Sequence, residues 1–153
     1  MVKAVLPRQA WMTTLAKAPL ALLEESVATL EALPEYSFLR SPEIGLAMVR
    51  GRTEGSGAPF NLGEMTLTRC VVQLPLPTGE PIAGFGYVAG RSQRHAELAA
   101  VCDALLQHPA WRDRVHTQVL APLQAAYQAQ QEHQAQQTET TRVNFFTLLR
   151  GDS

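Results

Sequence analysis

The sequence is poor in cysteine and in charge, and both shortages exclude classes of protein. Its 153 residues contain two cysteines, Cys70 and Cys102, and neither belongs to a CxxC pair. The chain therefore lacks the cysteine spacing of a disulfide framework or a redox motif, and both thiols are expected to be buried as small hydrophobic groups. Charged residues make up 18%, the net charge is −1, and no dense Lys/Arg run occurs. A sequence-independent nucleic-acid-binding protein needs a basic surface, so no nucleic-acid partner is expected.

Long hydrophobic runs are also missing. The apolar run at 18–23 is bounded by Lys17 and by Glu24 and Glu25. It is too short and too charged for a membrane span or a signal segment. We therefore expect a cytoplasmic protein with no membrane attachment. With 46% hydrophobic residues, the chain is long enough to form one domain with a buried core.

The apolar periodicity predicts helices and strands in the order α-α-β-β-β-α-α-β. The predicted helices cover 8–18, 19–33, 92–107 and 109–127, and the predicted strands cover 44–50, 64–74, 82–89 and 143–149. Helices that are segregated from an antiparallel sheet make an α+β fold. The expected fold is thus a single α+β domain, with a β-meander plus a C-terminal strand and with N-terminal and central helices. The glycine-rich stretch 51–59 is predicted to be a loop.

The C-terminal part differs in composition from the rest. Residues 128–140 contain no large apolar side chain, which fits either a solvated helix or a linker. The strand that follows is apolar on both faces and needs an acceptor edge, in its own sheet or on another chain. This predicts a compact domain at 1–127 and an arm at 128–153 that contacts a partner. The candidate interface residues of the arm are Val143, Phe145, Phe146 and Leu148.

The strand at 64–74 places an arginine among apolar residues. Arg69 alternates in phase with Met65, Leu67 and Val71, a set that the pattern assigns to the core face. A buried arginine is costly unless it is paired or lies at an interface. Two interpretations remain open: an ion pair between Arg69 and a helix of the same chain, or a strand that presents Arg69 and Glu64 to a partner or a shared site.

The predicted turn at 90–95 joins the end of a strand to the start of a helix. A glycine, two arginines (Arg91 and Arg94) and the N–H groups of a helix N-terminus together favour an anion. The alternative is an ordinary helix cap at Ser92. His95 is the candidate for a residue contributed to a site shared with another subunit. No histidine pair has helical metal-site spacing, so no metal site is predicted in this chain.

Four blocks of sequence carry a resemblance to a known family. They are FNLGEMTLTRCVVQL at 60–74, RQAWM at 8–12, HAELAA at 95–100 followed by DALL at 103–106, and TRVNFF at 141–146. In order and spacing the chain resembles the PhnG family, the G subunit of the bacterial carbon–phosphorus lyase core complex. The resemblance spans nearly the whole chain except the glutamine-rich part at 124–140.

The resemblance implies a subunit of a heteromeric complex with two-fold symmetry. Its partners would be the H, I and J subunits, with the ATP-binding-cassette-like K and L proteins. With H, I and L, the G subunit would support transfer of ribose triphosphate from ATP to methylphosphonate, with release of adenine. ATP would be a substrate of the complex, and this chain alone would bind no cofactor.

Three functional hypotheses follow. The first is an accessory subunit that completes a transferase site on a neighbour and is inactive alone. The second is a direct catalytic contributor that places Arg69, Arg91, Arg94 or His95 against triphosphate or phosphonate. The third discards the resemblance and leaves a small regulatory or DNA-binding domain, which the acidic N-terminal helices disfavour.

Overall fold

The computed structural model describes residues 6–143, which form helices packed on a three-stranded sheet. The helices are α1 (Arg8–Lys17), α2 (Leu20–Ala28), α3 (Gln93–Gln107), α4 (Pro109–Val115) and α5 (Ala121–Thr140). The strands are β1 (Ser37–Arg52), β2 (Pro59–Leu74) and β3 (Ile82–Ala89). The expected α+β class is confirmed. Within the described range, no helix has both the length and the apolar character needed to cross a membrane.

The sheet is an antiparallel meander in the order β1-β2-β3, and α3 packs across it. The packing is close because Gly84 and Gly86 present no side chain to the helix. A Cβ atom at either position would collide with the backbone of Ala96 or Ala100. A strand face without side chains admits a helix at such close range. The remaining helices surround α3 and complete a core on one side of the sheet.

The β1–β2 hairpin is longer than the sequence predicts. Both strands have 16 residues, and only residues 53–58 connect them. The loop predicted at 51–59 is therefore too wide at both ends, because the ladder continues to the pair Arg52 and Pro59. The third strand pairs with β2 only from Leu67 to Leu74. Beyond that point the hairpin is a two-stranded ribbon that projects past the helices. We call residues 44–52 and 59–66 the distal ribbon.

The C-terminal helix begins with an irregular turn. Residues His116–Leu120 form a π-helical turn between α4 and α5, directly before Pro122. Proline has no N–H to donate, so the regular bonding pattern is broken there. Residues 128–140 continue α5 and are exposed, so of the two alternatives for this stretch the solvated helix is found. Val143 ends the described chain without strand structure, and the rest of the predicted C-terminal strand lies outside the described residues.

Candidate functional site

The turn before α3 forms the predicted helix cap. The Ser92 hydroxyl accepts a hydrogen bond from the backbone N–H of His95 at 3.2 Å, which satisfies one free donor of the first helical turn. The His95 ring is buried, and its Nε2 atom lies 2.7 Å from the carbonyl oxygen of Leu15. His95 therefore links α3 to α1 inside this chain. Its proposed contribution to a shared site remains a prediction.

The two arginines of this turn have different surroundings. Arg94 lies between two carboxylates, with Nε 3.6 Å from Glu24 and Nη1 3.3 Å from Glu97. Arg91 is exposed and, among residues 6–143, has no carboxylate within 4.0 Å. It borders a groove of about 240 Å³ that is otherwise lined by the hairpin residues Ile44, Gly45, Leu46 and Thr66. Of the two arginines, Arg91 is thus the one available to an external anion.

Arg69 does not point into the core, and the core face of β2 was assigned to the wrong side. The buried side chains of this strand include Thr68, Cys70 and Val72, which face α3, whereas the Arg69 side chain is 44% exposed on the opposite face. Both alternations are apolar in sequence, so the pattern alone did not distinguish them. Arg69 forms an ion pair with Glu43 on the neighbouring strand β1, not with a helix.

The Glu43 carboxylate also pairs with Arg40, at 2.7 Å. These hydrogen bonds, that from Arg69 first, lower the pKa of Glu43. Glu64 lies on the other face of β2, opposite Met48 in the distal ribbon. The structure thus separates Glu64 from Arg69, and Glu64 forms no salt bridge with Arg91 or Arg94.

A buried polar cluster around Asp103 was not predicted. The fully buried carboxylate accepts hydrogen bonds from Arg8 Nε at 3.1 Å, Arg8 Nη2 at 2.7 Å and Trp11 Nε1 at 2.8 Å. It also accepts from the backbone N–H of Phe85 at 2.9 Å. The hydrogen bond to Asp103 raises the pKa of Arg8. The only signal in the sequence was that Arg8, Trp11 and Asp103 all fall in the blocks that carry the family resemblance.

The Asp103 cluster also closes one edge of the sheet. The outward N–H of Phe85 on β3 is bonded to Asp103, and the outward carbonyl of Ala83 accepts from Gln107 Nε2 at 2.9 Å. The acceptor Asp103 and the donor Gln107 both lie on α3. Side chains therefore occupy two of the backbone groups that an added strand would use along β3, at Ala83 and Phe85.

The two thiols are buried, as expected, and remain protonated. Burial, followed by the charge of Glu97, raises the pKa of Cys70 to about 11. Burial raises the pKa of Cys102 to about 12. The Tyr36 hydroxyl donates a hydrogen bond to Glu97, and burial together with that bond raises the pKa of Tyr36 to about 12. None of these groups is activated as a nucleophile at neutral pH. Across positions 6–143 no cluster of three His, Cys, Asp or Glu side chains has metal-site geometry.

Exposed apolar side chains are concentrated on the distal ribbon. On the face that continues the core side of the sheet, Leu46 is 67% exposed, Met48 51% and Ile44 47%. The Leu62 side chain lies against Gly51 and is 62% exposed. Phe60 and Met65 of the same ribbon are also exposed. A soluble monomer rarely groups so many large apolar side chains at the surface, and such a group marks an interaction site.

Comparison with known proteins gives two findings. A family model described as "Phosphonate metabolism protein PhnG" matches residues 6–151. The chain is also 42% identical, over 151 residues, to a protein of Rhizobium meliloti (strain 1021). That protein is named "Alpha-D-ribose 1-methylphosphonate 5-triphosphate synthase subunit PhnG", and the match covers 97% of this chain and 92% of the relative.

Both matches extend over the Asp103 cluster, the distal ribbon and the sequence beyond the described residues. Agreement at this level over almost the full length confirms the resemblance drawn from the four sequence blocks. The chain belongs to the PhnG family of phosphonate metabolism proteins.

Proposed function

We propose that this chain is the G-type subunit of an α-D-ribose 1-methylphosphonate 5-triphosphate synthase. In this role it is an accessory subunit, which completes or positions a transferase site on a neighbouring subunit and is inactive alone. The reaction transfers ribose triphosphate from ATP to methylphosphonate and releases adenine. ATP is a substrate of the complex, and this chain binds no cofactor of its own. The proposed partners are the H, I and J subunits with the K and L proteins, in the cytoplasm.

One structural observation supports the accessory role: six of the twelve exposed large apolar side chains among residues 6–143 lie on the projecting distal ribbon. The buried ionisable groups bond within the chain, Asp103 to Arg8 and Trp11, and His95 to Leu15. Such groups hold the helices on the sheet. A subunit whose polar interior is committed to packing and whose apolar surface projects outward is suited to assembly with other chains.

The second hypothesis, a direct catalytic contribution, named four residues, and three of them have partners within the chain. Arg69 and Arg94 are neutralised by carboxylates, and His95 is buried. Arg91 is the remaining cation at the turn. The third hypothesis, a DNA-binding domain that discards the resemblance, loses its premise because the family is assigned.

The deciding experiment is reconstitution of the complex with and without this chain. Adenine release from ATP, measured in the presence of methylphosphonate by separation of the bases, is the readout. We expect release only when this chain and its partner subunits are both present. Release by the isolated chain would refute the accessory role, and an undiminished rate without the chain would refute any role in the transfer. A mixture lacking methylphosphonate is the control for ATP breakdown.

A further inference from the structure

The outer edge of β1 carries unpaired backbone groups, and the sheet register identifies them. The backbone N–H of Gly90 bonds to the carbonyl of Thr66, so the even-numbered residues of β2 point towards β3. The odd-numbered residues of β2 therefore bond to β1, through partners such as Glu43 and Gly45. It follows that the N–H and C=O groups of Ile44, Leu46 and Met48 point away from the sheet. No described residue bonds to these groups.

The two outer edges of the sheet, on β1 and β3, differ in how many of their outward backbone groups are hydrogen-bonded. At β3, the side chains of Asp103 and Gln107 occupy the outward N–H of Phe85 and the outward C=O of Ala83. At β1, the outward groups of the 44–48 segment remain open, although exposed edges promote unwanted pairing and are usually blocked. The segment contains no proline, and between Glu43 and Val49 its register is regular. The β1 edge is open although the opposite edge is partly covered, and this difference indicates that the β1 edge is a binding surface.

The distal ribbon also needs an additional layer for stability. A two-stranded ribbon alone is marginally stable in water. Beyond Leu67 it has neither β3 beside it nor α3 above it, and its face shows Ile44, Leu46 and Met48 to solvent. A third strand along β1 would satisfy the open backbone groups and cover part of this apolar face at the same time.

The β1 side is favoured over the β2 side for geometric reasons. On the β2 side a bulge falls between the pairs Val49–Gly63 and Arg50–Asn61, and it disrupts the ladder there. The groove of about 240 Å³ that Arg91 borders is lined by Ile44, Gly45 and Leu46 of β1 and by Thr66 of β2. A strand laid along β1 would therefore run next to residues that line this groove, and the Arg91 cation there has no carboxylate within 4.0 Å in the described chain.

Charge indicates what the added strand contains. The distal part of β1 carries Arg50 and Arg52, and Arg91 lies at the other end of the open edge. A second copy of this chain fits poorly, because two-fold antiparallel pairing about Leu46 would place Arg50 of one copy opposite Pro42 of the other. Proline has no N–H to donate to an added ladder. A strand with an apolar centre and acidic ends is complementary.

We infer that the outer edge of β1, at residues 44–48, is the docking edge for an extended strand of a different polypeptide of the complex, with apolar side chains at its centre and acidic side chains near its ends. The added strand pairs antiparallel or parallel with β1 and extends the sheet to four strands. This inference rests on the proposed function only in requiring a heteromeric complex.

The test compares variants at Leu46 with a matched exposed residue elsewhere. Leu46→Pro removes the outward N–H and places a ring at the edge, while the inward bonds of Gly45 and Ala47 remain. Leu46→Lys keeps the backbone group but adds a charge to the apolar face. Tyr127→Lys on α5 is the control, because Tyr127 is an exposed apolar side chain distant in sequence from the ribbon. We expect both Leu46 variants to weaken assembly at least tenfold and the control to assemble as the wild type does.

Hydrogen exchange supplies the second readout and does not depend on any variant. The amides of Ile44, Leu46 and Met48 are expected to exchange rapidly in the isolated chain and to become protected in the complex. Normal assembly of Leu46→Pro without such protection would overturn the inference while leaving the proposed function intact. Protection in the isolated monomer would mean that the chain covers its own edge, and concentration-dependent protection would mean self-association. Both results would also overturn it. Failure of the wild-type chain to assemble would overturn the proposed function first.

Discussion

Substitution of Asp103 by Asn tests whether the buried cluster holds α1 on the sheet. The change keeps the shape of the side chain but replaces one carboxylate oxygen with an NH2 group. On the Oδ1 side this group would face the N–H donors of Arg8 Nε and Trp11, and on the Oδ2 side those of Arg8 Nη2 and Phe85. Either orientation leaves at least two donors without their acceptor, one of them on the partly exposed Arg8.

The magnitude follows from that count. A buried donor without a partner costs about 1–3 kcal/mol. The Arg8 side chain is 42% exposed, so water screens part of its loss and its contribution lies at the low end. Two donors therefore give a loss of about 3 kcal/mol in the free energy of unfolding. For a chain of this size that loss lowers the melting temperature by roughly 6–12 °C.

The assay is urea unfolding of the purified chain, followed by circular dichroism. Trp11→Phe removes a single donor and should cost about 1 kcal/mol, which places it between the wild type and Asp103→Asn. Asp113→Asn, at an exposed position of α4, is the control and should stay within about 0.5 kcal/mol of the wild type. A loss below about 1 kcal/mol for Asp103→Asn would refute the view that this carboxylate fastens α1.

Four further predictions concern the surface and the thiols. Deleting residues 141–153 should abolish partner binding while the truncated chain still unfolds cooperatively; normal assembly would contradict a role for this segment. Arg69→Met should cost less than about 1 kcal/mol, since its ion pair is half exposed, and should lower the activity of the complex; an unchanged activity would argue against an interface at this position. Arg91→Ala should weaken ATP binding by the assembled complex about tenfold if Arg91 makes one charge-assisted contact, and unchanged affinity would leave the turn as a cap. Cys70 and Cys102 should resist a thiol reagent at pH 8 and react after denaturation, because their raised pKa values keep them protonated; fast native labelling would show that the helix layer opens.

The sequence predicted the elements of this fold better than their faces and ends. Periodicity located the helices and the meander because buried stripes recur at fixed spacing. It did not identify the core face of β2, since Leu67 and Val71 alternate with Cys70 and Val72 and both sets are apolar. It also shortened the hairpin, because the glycines near the tip suggested a loop where the strands continue. Ladder hydrogen bonds do not require a hydrophobic pattern, so a solvent-exposed ribbon leaves a weak sequence signal.

The candidate site residues were predicted from their residue types alone. The structure shows which of them already have a partner within the chain. Arginine and histidine near a helix N-terminus suggested an anion site, but sequence alone could not show that Glu24 on α2 approaches Arg94. Nor could it show that His95 faces Leu15, 80 positions away in the chain. Long-range pairing of this kind depends on how α1 and α2 pack, and local spacing carries no information about it. The hydrophobic alternation of Ile44, Leu46 and Met48 was visible, but their exposure was not.

Arg91 is a candidate for both proposed roles of this chain, docking of a partner strand and contact with a substrate phosphate. It borders the groove at the base of the distal ribbon and is located at the turn that leads into α3. A docked acidic side chain and a substrate phosphate would compete for the same guanidinium group, so its effects on assembly and on ATP binding must be measured separately. If the cation serves docking, Arg91→Glu should weaken assembly more than Arg91→Ala does, and added salt should reduce the difference between them. If it serves ATP, both variants should assemble normally and lose nucleotide affinity. Only the first pattern supports the strand-docking edge, and only the second supports a direct contribution of this chain to the transferase site.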